Sequence, residues 1–193
     1  MSGLVRTAPV LTTERLELWQ PQPGDLDGLN AINTDPRTLP FLGTWSPSPA
    51  DTFARLCRNA GSWALYGYGT FMVRRRGQAQ IIGNCGIFRA WRGFAHGLDD
   101  VAEAGWIIHP DHWGQGYASE AMRAVLPWFD AEHGPQRVAC MIEEGHAVSQ
   151  RLALRLGFVE YARHQQPGDK PLVLYERLKI SPISHGSLPT GSS

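Results

Sequence analysis

The chain has 193 residues, 42% hydrophobic and 19% charged, which is the usage of one compact globular domain. Its 18 basic and 18 acidic residues cancel to a formal net charge of +0. That balance leaves no basic excess to point to a nucleic-acid backbone, and no acidic tail points to a disordered partner segment.

Cys57, Cys85 and Cys140 are odd in number and widely spaced, so they form neither a disulfide framework nor a paired zinc motif. A reduced, cytoplasmic setting suits them, each as a small buried hydrophobe. The N-terminal stretch lacks the apolar run of a signal peptide. No apolar stretch is long enough to span a membrane.

In chain order, "TERLELWQ" alternates as a first strand, with Leu16 and Leu18 on one face. "PGDLDGLNAINTD" carries Leu26, Leu29 and Ile32 at helical spacing, broken by Pro36 and Pro40. A second helix starts near Pro47 or Pro49 and places Phe53, Leu56 and Cys57 on one side. Between the two helices lies the apolar loop "LPFLGTWS". "YGTFMVRRR" and "AQIIGNCGIFRA" read as a hairpin, with Arg74 to Arg76 and Gly77 as its solvated turn. "VAEAGWIIHP" is a further strand, ended by Pro110.

From Ala118, apolar residues recur at three and four through Ala121, Met122, Val125, Leu126 and Phe129. This is an amphipathic helix, and Pro127 should kink it or end it early. "QRVACMIEE" is a strand, and "AVSQRLALRLGF" is a short helix closed by Gly157. "VEYARH" and "PLVLYERLK" flank the turn "QQPGDK" as a last strand pair. Strands and helices in this order predict an α+β fold with a mixed sheet and helices packed on it. Residues 1–180 make one domain, and 181–193 are polar and turn-rich, as expected of a disordered tail or a non-native extension.

The stretch "HPDHWGQGYASEAM" joins a buried strand to the long helix. The N–H groups of a helix's first turn lack intrahelical partners and attract an anion. Gly114 and Gly116 let that backbone approach a phosphate closely, and Ala118 and Ser119 keep the approach uncluttered. There is no Gly-Lys-Ser/Thr ending and no third glycine at dinucleotide spacing, so neither of those nucleotide motifs is supported.

These residues resemble the acyl-CoA-binding core of the GNAT acyltransferases, particularly the RimJ/RimL-like branch, which acetylates N-terminal amines of ribosomal proteins. Trp113, Gly114, Gly116, Tyr117, Ala118, Glu120 and Ala121 match its Trp-Gly-x-Gly-Tyr-Ala-x-Glu-Ala block. "TTERLELW" resembles the opening Thr-x-Arg-Leu-x-Leu strand. Ser149, Gly157 and Phe158 match a third block, and together the blocks run from Leu11 to Lys179.

The resemblance implies a mostly antiparallel sheet of about seven strands with splayed central strands, flanked by about four helices. It implies acetyl-CoA as co-substrate, with its pantetheine arm along Trp106, Ile107 and Ile108. The diphosphate is then expected on the backbone of Trp113, Gly114, Gln115, Gly116, Tyr117, Ala118 and Ser119. The reaction implied is direct attack by a primary amine, a protein or peptide N-terminus or a small molecule, in a ternary complex. Three positions depart from the pattern. Trp113 replaces the Arg or Gln of many members, and its ring is expected to pack. His146 replaces the usual Asn and is expected to contact the cofactor, a role that protonation would weaken. Ala153 stands where many members carry a tyrosine acid.

With that tyrosine absent, Glu103 is the candidate base and Ser149 the candidate donor to the leaving thiolate. The plainer readings are that Glu103 faces solvent or pairs with an arginine, and that Ser149 caps its helix. Arg151 and Arg155 either reach the phosphates or solvate the short helix. His109, Asp111 and His112 straddle a proline in a turn, and no metal is expected there. The acceptor entrance is expected at Pro40 to Trp45, Trp91 to Phe94 and Gln165 to Lys170, or these patches pair with a second copy as a homodimer. A non-catalytic acyl-CoA sensor is the rival reading, and a nucleotide-binding protein the third.

Overall fold

The computed structural model describes residues 7–42, 47–93, 96–165 and 170–178. Its eight strands form one sheet in the order β1-β2-β3-β4-β5-β6-β8-β7. They are β1 Leu11–Thr12, β2 Leu16–Trp19, β3 Thr70–Arg75, β4 Ile81–Ala90, β5 Val101–Ile108, β6 Val138–Glu143, β7 Val159–His164 and β8 Leu172–Arg177. The helices are α1 Leu26–Thr34, α2 Pro49–Tyr66, α3 Tyr117–His133 and α4 Ala147–Arg155. The strand beyond the expected seven is β1, a two-residue edge piece paired with β2.

Side-chain alternation separates the two faces of the sheet. Phe71 and Val73 join Tyr117, Ala121, Met122, Val125 and Phe129 of α3 and Leu152 and Ala153 of α4 in the main core. Met72, one position out of phase, packs instead with Leu29, Ile32 and Leu56 under α1 and α2.

Several local expectations are corrected. Pro127 does not end α3 early: the helix runs on to His133, because Val125, Leu126 and Phe129 on either side of it are buried against the sheet. One missing backbone donor costs less than uncovering that face. On α2, Phe53 is 56% exposed and Cys57 is exposed. The buried stripe is Thr52, Leu56, Asn59 and Trp63, because Asn59 and Trp63 both donate to the Thr70 carbonyl and set the helix rotation. Arg74 is not part of a solvated turn: it lies in β3 and pairs with the buried Asp25 at 2.6 Å. Gly77 takes the turn position, at φ +70°.

The feature that matters for function is the one parallel pairing among the described strands. β5 and β6 share only two rungs, Ala102 with Val138 and Glu103 with Ala139. Beyond them β5 pairs with β4 alone and β6 with β8 alone. The central strands are therefore splayed, and the edge of β5 past residue 103 has no strand partner on the β6 side.

Candidate functional site

The glycine loop leads directly from β5. Pro110–His112 form a short 3-10 turn, and Gly114 and Gly116 follow at φ +74° and +79°. Only glycine adopts that left-handed region routinely. Gly116 is the N-cap of α3, and no side chain caps the helix. Its first intrahelical bond is Glu120 N–H to the Gly116 carbonyl, so the N–H groups of Tyr117, Ala118 and Ser119 precede the ladder.

The start of α3 is held by a latch. The Glu120 carboxylate accepts from the Thr13 hydroxyl at 2.6 Å, the Arg15 backbone N–H at 2.9 Å and Arg15 Nε at 2.7 Å. The Arg15 guanidinium also covers the Tyr117 ring, 4.6 Å from its centroid. Burial pushes the Glu120 carboxyl up, but the bonds from Thr13 and Arg15 outweigh it and hold it below the usual range. The Thr-x-Arg motif and the Glu of the glycine block are thus two halves of one contact.

Trp113 is 44% exposed, and its indole donates to the Ile108 carbonyl at 2.6 Å. It packs edge-on to Phe41, 6.0 Å between ring centres. Phe41 stacks on His146 at 4.2 Å, so this one ring touches both the glycine-loop side and the α4 side of the splay. Sequence placed Phe41 only in the acceptor loop. A second strap ties the same segment down: Arg37 bonds Asp35 and Asp111, each at 2.8 Å.

Across the gap, Trp106 reaches α4. Its indole N–H donates to Ser149 Oγ at 3.3 Å, and Ser149 Oγ lies 3.1 Å from His146 Nε2. Ser149 is not the cap of α4; His146 occupies that position and Ser149 sits in the first turn, turned toward β5. Burial pushes the His146 imidazole below its usual value, against the pull of Glu143, so the neutral ring is favoured. Sequence grouped His146 and Ser149, but nothing in the spacing announced Trp106 as their third partner.

Glu103 is 3% exposed and lies on the opposite face, between Ala102 and Ala104 of the main core. Of the two plain readings, the pairing one holds. Arg92 bonds both carboxylate oxygens, Nε to Oε2 at 2.9 Å and Nη2 to Oε1 at 2.5 Å. Asp99 holds the Arg92 and Gly93 amides and fixes the loop that delivers the guanidinium. Glu103 and Ser149 thus approach the gap from opposite faces, Glu103 at its closed end.

Ile107 faces the α1–α2 side and Ile108 the main core. Gln115 donates to the Asp111 carbonyl at 3.3 Å and shapes the turn. Among the described residues, no group of three or more His, Cys, Asp or Glu could hold a metal ion, and no helix is long and apolar enough to cross a membrane. Residues 43–46, 94–95 and 166–169 of the three proposed entrance loops, and the tail 181–193, lie outside the described residues.

Three features fit an acyl-CoA. The α3 amides and the two left-handed glycines suit a diphosphate. The unpaired edge of β5 suits an extended arm with amide groups. The gap between β5 and β6 opens toward the same end of the sheet as both.

Known proteins share this architecture. Residues 15–159 match the family model described as "Acetyltransferase (GNAT) domain". YkkB of Bacillus subtilis is 30% identical over 114 residues, which span 58% of this chain and 62% of that protein. A GnaT-family acetyltransferase structure from Bordetella pertussis, described as putative, superimposes with a TM-score of 0.77 at 30% identity, covering 86% of this chain and 98% of that one. RimL, the ribosomal L7/L12 alpha-N-protein acetyltransferase, solved in complex with coenzyme A, has a TM-score of 0.70 at 16% identity, covering 88% and 97%. At that identity it speaks for the fold alone. The splayed sheet, the glycine-capped helix and the matched model make this chain a member of the GNAT acetyltransferase family.

Proposed function

We propose that the protein is an acetyl-CoA-dependent N-acetyltransferase that joins an acetyl group to a primary amine by direct transfer. The observation that carries this reading is the parting of β5 and β6 after two rungs, beside an α3 terminus with no side-chain cap. Acetyl-CoA would supply the activated acetyl group. In this reading the amides of Gly114 to Ser119 hold its diphosphate, the β5 edge from Trp106 to Ile108 holds its arm, and Trp113 closes the loop. In the same reading the Ser149 hydroxyl, in the first turn of α4, meets the departing sulfur.

An N-terminal peptide amine is the acceptor class suggested by the RimJ/RimL-like block from Trp113 to Ala121. The amine's proton has two candidate takers, Glu103 on one face and the Ser149–His146 pair on the other. The free thiols Cys57, Cys85 and Cys140 suit a reducing compartment such as the cytoplasm.

Titration calorimetry with coenzyme A, followed by thiol release from acetyl-CoA, tests the reading. The panel should hold peptides with N-terminal Ser, Ala or Met, and small primary amines. Absence of binding by folded protein overturns it. Binding without turnover on any amine favours the acyl-CoA sensor, which Ala153 in place of a tyrosine acid keeps in view.

A further inference from the structure

We infer that one proton travels from the attacking amine to the departing sulfur through Ser149 and His146, with His146 as its temporary holder. This rests on the acetyltransferase reading above and names the proton path within that site.

The geometry is a directed chain. Trp106 Nε1–H can only donate, so Ser149 Oγ accepts from it at 3.3 Å. The Ser149 hydroxyl proton is then free to point at His146 Nε2, 3.1 Å away. Phe41 stacks on the imidazole at 4.2 Å with 28° between the planes and fixes its orientation. An asparagine at position 146 could accept a hydrogen bond from Ser149 but could not carry a proton. An imidazole carries one at near-neutral pH.

The charges around the ring suit the neutral starting form. Glu143 at the end of β6 is the carboxylate that acts on His146, and it is paired with Lys170. Its neighbour Glu144 is paired with Arg163. Phe41, which stacks on the ring, and Trp106, which bonds Ser149, carry no charge, and Trp113 stands behind Phe41. Burial disfavours the imidazolium, which favours return of the held proton.

Glu103 is less free to serve. Both its oxygens accept from Arg92, so taking a proton means giving up a guanidinium bond in a buried position.

The steps balance. The amine nitrogen bonds to the thioester carbonyl carbon. It passes one proton to Ser149 Oγ as the serine's own proton moves to His146 Nε2. The carbon–sulfur bond breaks, His146 returns its proton to Ser149, and Ser149 gives its proton to sulfur. The products are an amide and a free thiol, with no net proton gained or lost.

The test is the pH dependence of kcat, at saturating acetyl-CoA and saturating amine, with the fastest acceptor of the panel above. The wild type should lose rate on acidification through an inflection below 6.5, as the ring becomes protonated before turnover. His146→Asn should lower kcat roughly 100-fold and abolish that limb, as removal of a general acid–base group does. Its coenzyme A affinity should stay within about threefold, since Asn keeps a donor and an acceptor. Glu103→Gln should retain the limb. Ser149→Ala, a smaller change, should match His146→Asn in kcat. An unchanged kcat and profile in folded His146→Asn overturns the path, as does a limb that disappears in Glu103→Gln instead. No wild-type turnover on any amine overturns both this path and the acetyltransferase reading, whereas turnover with an indifferent His146 overturns the path alone.

Discussion

Arg15 at the head of β2 and Glu120 in the first turn of α3 are joined through a backbone N–H and a guanidinium, 105 residues apart in sequence. Thr13 adds its hydroxyl to the same carboxylate. The opening strand therefore sets where the glycine-capped helix begins. Glu120→Ala should cost about 1.5–3 kcal/mol, the scale of hydrogen bonds to a charged group, toward the lower end because Arg15 is partly exposed. Guanidinium unfolding measures the loss. Weaker coenzyme A binding should accompany it.

Gly116→Ala tests the backbone directly. A side chain at φ +79° costs about 1–2 kcal/mol. If relieving that strain turns the α3 amides, coenzyme A affinity should fall roughly tenfold, which is about 1.4 kcal/mol. Calorimetry on wild type and variant, with thermal unfolding as the control for folding, decides it. Equal affinities would mean that the diphosphate does not depend on this turn.

The cysteines differ sharply in reach. Burial pushes the Cys85 thiol up to about 12, against a weaker opposing bond from the backbone at Ile107. Cys140 is also pushed up, by burial and then by Glu103. Cys57 is exposed on α2. Iodoacetamide at pH 8 should therefore add one group to the native protein and three after denaturation, counted by intact mass.

Acid should loosen the segment that carries Phe41. Hydrogen bonds from Arg37 hold the Asp35 carboxyl down at about 2, against an ordinary value of 3.8. A depressed carboxyl contributes stability above its unfolded value, and that contribution is lost as pH falls through the folded one. His146 adds a loss that begins higher: its folded value lies below 6.5, so the unfolded chain binds the proton first and acidification favours unfolding. Denaturant titrations from pH 7 to pH 2 should show stability declining through both ranges. In Asp35→Asn the decline below pH 4 should be shallower.

Much of this protein is legible in one dimension, because periodicity, turn residues and helix punctuation act over a few residues. The strand pattern, the four helices, the glycine turn at 114–116 and the cap at Gly157 are all such local signals. The rotation of α2 was not legible. Phe53, Leu56 and Cys57 make as good an apolar face as Thr52, Leu56, Asn59 and Trp63 until Thr70 is there to accept from Asn59 and Trp63. The persistence of α3 past Pro127 likewise depends on a sheet surface that buries both sides of it.

At the site, the chain on its own determined which residue types are available: the glycines, Glu103, His146 and Ser149. Only the tertiary structure decided their relations. It paired Glu103 with Arg92, set Trp106 against Ser149, and laid Phe41 over His146. The reason is physical. Hydrogen bonds and stacking between side chains distant in sequence depend on ångström-scale distances, and those distances follow from how strands part and helices pack.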